Sequence, residues 1–173
     1  NIVIATGSRP RNPPNAPVDH EHVFDSDSIL SMVYLPRSLT IVGGGVIGTE
    51  YACIFGSLGV QVTQIDRGDN PLPFLDPDVT AHMLDAFPSM NIRYVPNANV
   101  TGVAFDGAQV CTQLDDGTVV KSDKALAALG RLANTDQLGL ENVGLEQTKR
   151  GHIVVDAHGK SSVDGVYAVG DVV

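Results

Sequence analysis

A chain of 173 residues is long enough for one ordinary domain with a sizeable core, or for one domain with parts of another. Its 11 Lys and Arg against 20 Asp and Glu give a formal net charge of −9, which repels phosphate backbones and anionic lipid and argues against nucleic acid as a partner. No apolar run reaches the roughly 18 residues of a membrane span and no signal-peptide pattern is visible, so no membrane partner and a cytoplasmic location are expected.

"NIVIATG" at 1–7 is apolar and β-branched, and predicts a strand already under way at the first residue. A loop follows in which Pro10, Pro13, Pro14 and Pro17 make a helix or a central strand untenable. "DSDSIL" at 25–30 offers Ser and Asp caps to a short helical turn that Pro36 closes. "LTIV" at 39–42 then predicts a buried strand. "VIGTEYACIFGSLG" at 46–59 has helical apolar spacing and ends on a C-terminal glycine, Gly59, and "VQVTQID" at 60–66 is a second strand. Strand, turn, helix and strand in about 30 residues make a βαβ unit, whose crossover is right-handed.

A second helix is predicted over 76–87, with Asp76 as N-cap, Pro77 at its first position, Asp78 at the positive end of the dipole and Pro88 as its stop. "IRYV" at 92–95 is the next strand. "NVTGVAF", "AQVCTQL" and "TVVKS" then alternate as short strands joined by Asp106-Gly107 and Asp116-Gly117, dipeptides suited to tight hairpins with positive φ at both residues. They predict a three-stranded antiparallel meander. "KALAALG" at 124–130 reads as a strand buried on both faces of a parallel sheet, and "HIVVD" and "VYAVGD" as two further strands. The fold class is therefore α/β, Rossmann-like, with a parallel sheet and an antiparallel meander. The abrupt first and last strands suggest a segment of a longer protein.

The candidate site is the turn at 43–48. Gly43, Gly45 and Gly48 form GxGxxG directly after a strand and at a helix start, with Gly44, Val46 and Ile47 between them. Gly43 allows the tight turn, Gly45 has no Cβ to block a pyrophosphate, and Gly48 lets the helix approach the sheet. The phosphates would rest on the positive end of the helix dipole, a contact worth about 0.3–1 kcal/mol. Asp66 ends the second strand 23 residues after Gly43, the separation at which a carboxylate reaches the adenosine ribose. At about 4 Å a 2′-phosphate would repel that carboxylate by on the order of 4 kcal/mol per charge pair, so NAD(H) is expected over NADP(H). The adjacent Arg67 could bind such a phosphate and keeps NADP(H) possible.

The remaining reactive residues give little. Cys53 and Cys111 match neither a zinc framework nor a redox CxxC and are expected as small buried side chains. His20 and His22 lack a third metal ligand, and His82, His152 and His158 lack partners, so no metal site is expected.

Four segments, "ATGSRP" at 5–10, "GGGVIGTEYA" at 43–52, "LGRLANTDQLGLENVG" at 129–144 and "VYAVGD" at 166–171, resemble in order and spacing the FAD-dependent pyridine nucleotide-disulfide oxidoreductases. The resemblance spans nearly the whole chain. It implies a NAD(P)-binding domain at 37–152, inserted between a first FAD-domain segment with its linker at 1–36 and the start of a second at 153–173. It further implies that Asp171 hydrogen-bonds the flavin ribityl chain beside Gly170, that Thr6 and Gly7 lie at the flavin domain's edge, that Glu50 lies near the nicotinamide amide, and that Gly130 approaches the dinucleotide from the opposite loop. Arg131 is expected as a loop anchor.

Val46 stands where one branch of the family carries an aromatic residue over the flavin, Ala133 replaces a common proline, and Gly44 replaces the usual alanine, a change expected to be permissive. The reaction implied is hydride transfer between a nicotinamide dinucleotide and FAD, and then to a second nicotinamide or to a disulfide. No catalytic nucleophile or base is visible in the sequence. The redox CxxxxC pair, the His-Glu base and the C-terminal domain through which a full-length homodimer would form are implied to lie outside it. The isolated chain is expected to bind dinucleotide without turnover.

Overall fold

The computed structural model describes residues 1–173, which divide into two compact units, one of 12–130 and one of 1–11 with 131–173. In chain order the elements are β1 (Ile2–Ile4), β2 (Ser8–Pro10), β3 (Val23–Asp25), β4 (Ser38–Val42), α1 (Val46–Ser57), β5 (Gln61–Ile65), α2 (Pro77–Ala86), β6 (Ile92–Val95), β7 (Val100–Phe105), β8 (Val110–Leu114), β9 (Val119–Ser122), β10 (Lys124–Ala127), β11 (Arg131–Ala133) and β12 (Val166–Ala168). Short 3-10 turns lie at Ser28–Ser31, Phe87–Met90 and Leu140–Val143.

The 12–130 unit is built on a five-stranded parallel sheet in the order β3-β10-β4-β5-β6. Side chains alternate across it, as the two-residue period of a strand requires. Leu39 and Ile41 of β4 join Val62, Leu126, Ala52, Phe55 and Phe87 in the core beneath the helices. Val42 joins Ile65, Ala125 and Ala127 on the other face, where the meander β7-β8-β9 contributes Val100, Val103, Val110 and Leu114. Helices thus cover one face and antiparallel strands the other. Leu39, Ile41 and Phe87 are almost wholly buried, each stabilising the fold by roughly 1.5–3 kcal/mol.

Helix α1 seats Gly48, Thr49, Ala52, Phe55 and Gly56 against the sheet, the three- and four-residue spacing of one helical face. Gly59 follows its end with φ +86°, as a C-terminal glycine does. Helix α2 starts as its sequence predicts: the Asp76 carboxylate accepts from the Asp78 N–H at 2.9 Å, and Pro77 fills the first turn.

The other unit pairs β1 with β12 in parallel and β2 with β11 antiparallel, over a core of Ile4, Ala133, Leu140, Leu145, Ile153, Ala168 and Val172. Its limits, and those of the 12–130 unit, differ from the boundaries at 36 and 152 read from sequence: β3 lies before residue 37 yet pairs with β10, and β11, Leu140 and Leu145 lie before residue 152 yet pack with β2 and Ile4.

Several local expectations are corrected. Val23–Asp25 forms a strand that the proline-rich surroundings conceal, and Ser8–Pro10 pairs as a short edge strand. "HIVVD" makes only isolated bridges at Ile153 and Val155. In the hairpins only Gly107 (φ +97°) and Gly117 (φ +86°) take positive φ. Asp106 instead folds its carboxylate onto the N–H groups of Ala108 and Gln109, an Asx-type turn that leaves a longer connection. Both cysteines are half-buried rather than buried; Cys111 donates to Asp106 at 3.3 Å. His22 stacks on Phe105 with ring centroids 3.7 Å apart. No group of three His, Cys, Asp or Glu side chains converges as a metal site, and no helix is long and apolar enough to cross a membrane.

Candidate functional site

The sheet order creates the site. From β4 the chain passes to β5 and β6 on one side, while β10 lies on the other, so the winding direction changes between β4 and β10. Ligands of open parallel sheets sit past the strand ends at such a switch point. Gly43 to Gly45 extend β4 there, and Ala128 to Gly130 extend β10, with the Ala128 N–H donating to Val42 O at 2.9 Å.

Gly43 has φ +124°, and a Cβ on it would stand 2.3 Å from the Ala128 carbonyl oxygen. Its N–H donates to Ile65 O at 2.8 Å, which ties the turn to the end of β5. A Cβ on Gly48 would meet Gly43 O at 2.2 Å, so this residue sets how near α1 comes to the turn. Gly45 is the N-cap of α1, and nothing lies within 4 Å of where its Cβ would be. No side chain caps α1. The N–H groups of Val46, Ile47 and Gly48 in its first turn have no acceptor four residues back, and Gly45 and Val46 are exposed. This arrangement can take an anion.

The Gly44 position is crowded. A Cβ there would stand 2.9 Å from Asp66 Cγ and 3.0 Å from Asp66 Cβ. The half-buried Asp66 carboxylate accepts from the Gly44 N–H at 2.9 Å through Oδ1 and from the Gly68 N–H at 3.0 Å through Oδ2. It is therefore engaged with the protein's own backbone, with one further lone pair on each oxygen for an incoming hydroxyl. Glu50 and Arg67 are exposed. Burial, with the Asp66 and Asp69 carboxylates close by, pushes the Tyr94 phenol above its ordinary value. That hydroxyl donates weakly to Gly68 O at 3.5 Å.

Sequence reading missed the support beneath the turn. Gln64 is wholly buried, and its amide nitrogen donates to Gly43 O and Thr49 Oγ1, both at 3.0 Å. The signal was a glutamine two residues after Val62, at the position where the strand alternation turns a side chain inward.

The 12–130 unit thus brings together Gly43, Gly44, Gly45, Gly48 and Asp66, with Val46, Ile47 and Glu50 on α1 and Gly130 past β10. Thr6, Gly7, Gly170 and Asp171 belong to the other unit. There the paired strands β1 and β12 end side by side, Gly7 and Gly170 take φ of +70° and +76° with open space beside both, and Asp171 accepts from Ser8 Oγ at 3.3 Å. Arg131 anchors this loop pair, donating to Ser8 Oγ at 2.6 Å and to Ser8 O at 2.8 Å. The exposed carboxylate and the two uncrowded glycines fit an external polar group.

Parallel sheet, glycine turn and second-strand carboxylate together define an α/β protein of the Rossmann-like class. The model of the pyridine nucleotide-disulphide oxidoreductase family matches residues 1–173, and the chain belongs to that family. It is 43% identical over 172 residues to the soluble pyridine nucleotide transhydrogenase of Pseudomonas savastanoi pv. phaseolicola and 41% identical to that of Mycobacterium tuberculosis; each match covers 99% of this chain and 37% of the relative. Among solved structures, LpdA from Mycobacterium tuberculosis superposes with a TM-score of 0.91 at 34% identity, over 98% of this chain and 37% of that one. The HOCl-induced flavoprotein disulfide reductase RclA from Escherichia coli gives 0.88 at 31% identity, over 99% and 39%. The chain spans about 37% of the length of the curated relatives it matches.

Proposed function

We propose that the 12–130 unit is the nicotinamide-dinucleotide-binding part of a flavoprotein oxidoreductase, and that the 1–11 and 131–173 unit belongs to its FAD-binding domain. One observation carries the first half. The uncapped N-terminus of α1 opens at Gly45 onto free space, beside a carboxylate on the next strand. Backbone N–H groups there would hold the pyrophosphate and Asp66 the ribose diol, which favours NAD(H) over NADP(H). Glu50 and Gly130 would line the nicotinamide half. In the flavin domain Thr6, Gly7, Gly170 and Asp171 would border FAD, which when bound supplies the hydride-accepting ring.

The particular activity is read as a soluble transhydrogenase in a full-length homodimer, supported by the 43% identity to proteins of that name. A second reading sends the electrons to a disulfide, as a dihydrolipoamide dehydrogenase does. The 31% identity to a flavoprotein disulfide reductase favours it. A CxxxxC pair in the flavin domain upstream of this chain would overturn the transhydrogenase reading, and its absence would overturn the other. The 173-residue chain is read as a binding module without turnover of its own.

Isothermal titration of the chain with NADH, NADPH and FAD tests the assignment. NADH binding is expected, with NADPH weaker. Gly45→Val is expected to abolish NADH binding and leave the fold in place, because only a ligand needs that space. NADH affinity that survives Gly45→Val would overturn the site; flavin retention or hydride transfer by the chain would overturn the module reading.

A further inference from the structure

We infer that Gly44 is a positioning residue for Asp66: its bare α-carbon lets the carboxylate fold back between two backbone N–H groups, which fixes the face offered to an adenosine ribose. The inference rests on the dinucleotide reading above and gives Gly44, so far only one residue of the phosphate turn, a role toward the ribose.

Four contacts carry it. The Gly44 N–H reaches Asp66 Oδ1 at 2.9 Å and the Gly68 N–H reaches Oδ2 at 3.0 Å, so each oxygen is held by a different peptide. A Cβ on Gly44 would stand 2.9 Å from Asp66 Cγ and 3.0 Å from its Cβ, and one on Gly68 would stand 3.1 Å from Oδ2. Neither glycine has positive φ, so both positions require space and not an unusual backbone. Gly44 cannot easily yield, because its carbonyl accepts from the Leu72 N–H at 2.8 Å on the far side. Asp66 is fixed as well, since its N–H donates to Val95 O and its carbonyl accepts from the Ala98 N–H.

A side chain at 44 would therefore push the Asp66 carboxylate out of its bracket, while the 3.0 Å approach to Asp66 Cβ, which no χ rotation moves, would be relieved by a small shift of the turn. A carboxylate already locked binds a diol without further loss of rotamer freedom, whereas a released one must be ordered again. Gly44 thus tunes the discrimination between a ribose diol and a 2′-phosphate without touching either.

The test compares the chain with Gly44→Ala, Gly68→Ala, Asp66→Asn and the Gly44→Ala/Asp66→Asn pair. Dissociation constants are read for NADH and NADPH by fluorescence titration, and amide shifts are read by NMR without ligand. Gly44→Ala is expected to weaken NADH by about tenfold and NADPH by less than about twofold, and to add nothing in the Asp66→Asn background. In the ligand-free chain the Gly44 and Gly68 amide resonances are both expected to move in Asp66→Asn, because both N–H groups lose the same charged acceptor.

An unchanged NADH to NADPH ratio in Gly44→Ala would overturn the inference. So would equal losses for both dinucleotides that persist without the Asp66 carboxylate, which would mean that the methyl obstructs the phosphate seat itself. Gly44 and Gly68 amide resonances left in place by Asp66→Asn would overturn it with no ligand involved, even if Gly44→Ala failed to fold. A parent chain that binds neither dinucleotide overturns the proposed function and the ribose role together, whereas NADH binding with Gly44 and Gly68 amides unmoved by Asp66→Asn overturns the positioning role alone.

Discussion

The side-chain amide of Gln64 donates to the Gly43 carbonyl oxygen at 3.0 Å, joining the inward face of β5 to the first glycine of the turn. The same nitrogen reaches Thr49 Oγ1 on α1, so one buried side chain fixes strand, turn and helix together. Its own Oε1 is buried without a partner, a partial offset to what the bracket contributes.

Gln64→Leu is accordingly expected to leave the Gly43 carbonyl buried and unpaired. The cost should be about 1–3 kcal/mol, read as a lower urea midpoint with an unchanged slope. A neutral result would mean that the turn is held by its backbone bonds alone.

Two glycines of the same turn should respond in opposite ways. Gly48→Ala forces a methyl against Gly43 O at 2.2 Å, a backbone atom with no rotamer to give, and should destabilise the 12–130 unit by about 1–3 kcal/mol. Gly45→Ala meets nothing within 4 Å and keeps an extended backbone, so its stability should change by no more than about 0.5 kcal/mol. Urea unfolding of the pair checks the contrast, and similar losses in both variants would refute it.

The contrast also marks what sequence could and could not disclose. Strong local signals survived: the βαβ unit, the three meander strands and the Asp76 cap all lie where periodicity and capping residues put them. Val23–Asp25 did not, because a three-residue strand makes no period and its reason for being extended is β10, a hundred residues later. The glycine pattern located the turn, but the crowding at Gly44 depends on the rotamer of Asp66, 22 residues away, which no spacing rule encodes. Asp106 likewise satisfied a hairpin pattern while using its carboxylate, not a positive φ, to make the bend.

Helix α2 offers a separate test of local chemistry. Asp76→Ala removes the acceptor for the Asp78 N–H and should cost about 0.5–2 kcal/mol, read by urea unfolding, with faster hydrogen exchange in the first turn of α2. Asp76→Asn retains an acceptor oxygen and should recover most of that loss. Equal losses in both variants would assign the effect to charge at the helix dipole instead.

Asp25 predicts how the 12–130 unit responds to acid. Burial is the largest single influence on its carboxyl and opposes ionisation, but donation from Ser28 N–H and Oγ, Asn12 Nδ2 and the Asp27 N–H outweighs it and holds the group below its ordinary 3.8. A depressed folded value means that the unfolded chain binds the proton first as pH falls. The stabilisation is therefore complete above about pH 5, begins to disappear near the unfolded value of about 3.9 and is lost as pH falls through the lower folded value. Asp25→Asn should cost about 1–3 kcal/mol at pH 7, and the difference from the parent should shrink steadily below about pH 4. Urea unfolding at pH 7, 5, 4 and 3 measures it. A gap that stays constant down to pH 3 would show that the ionised carboxylate is not what holds the end of β3 to the 28–31 turn.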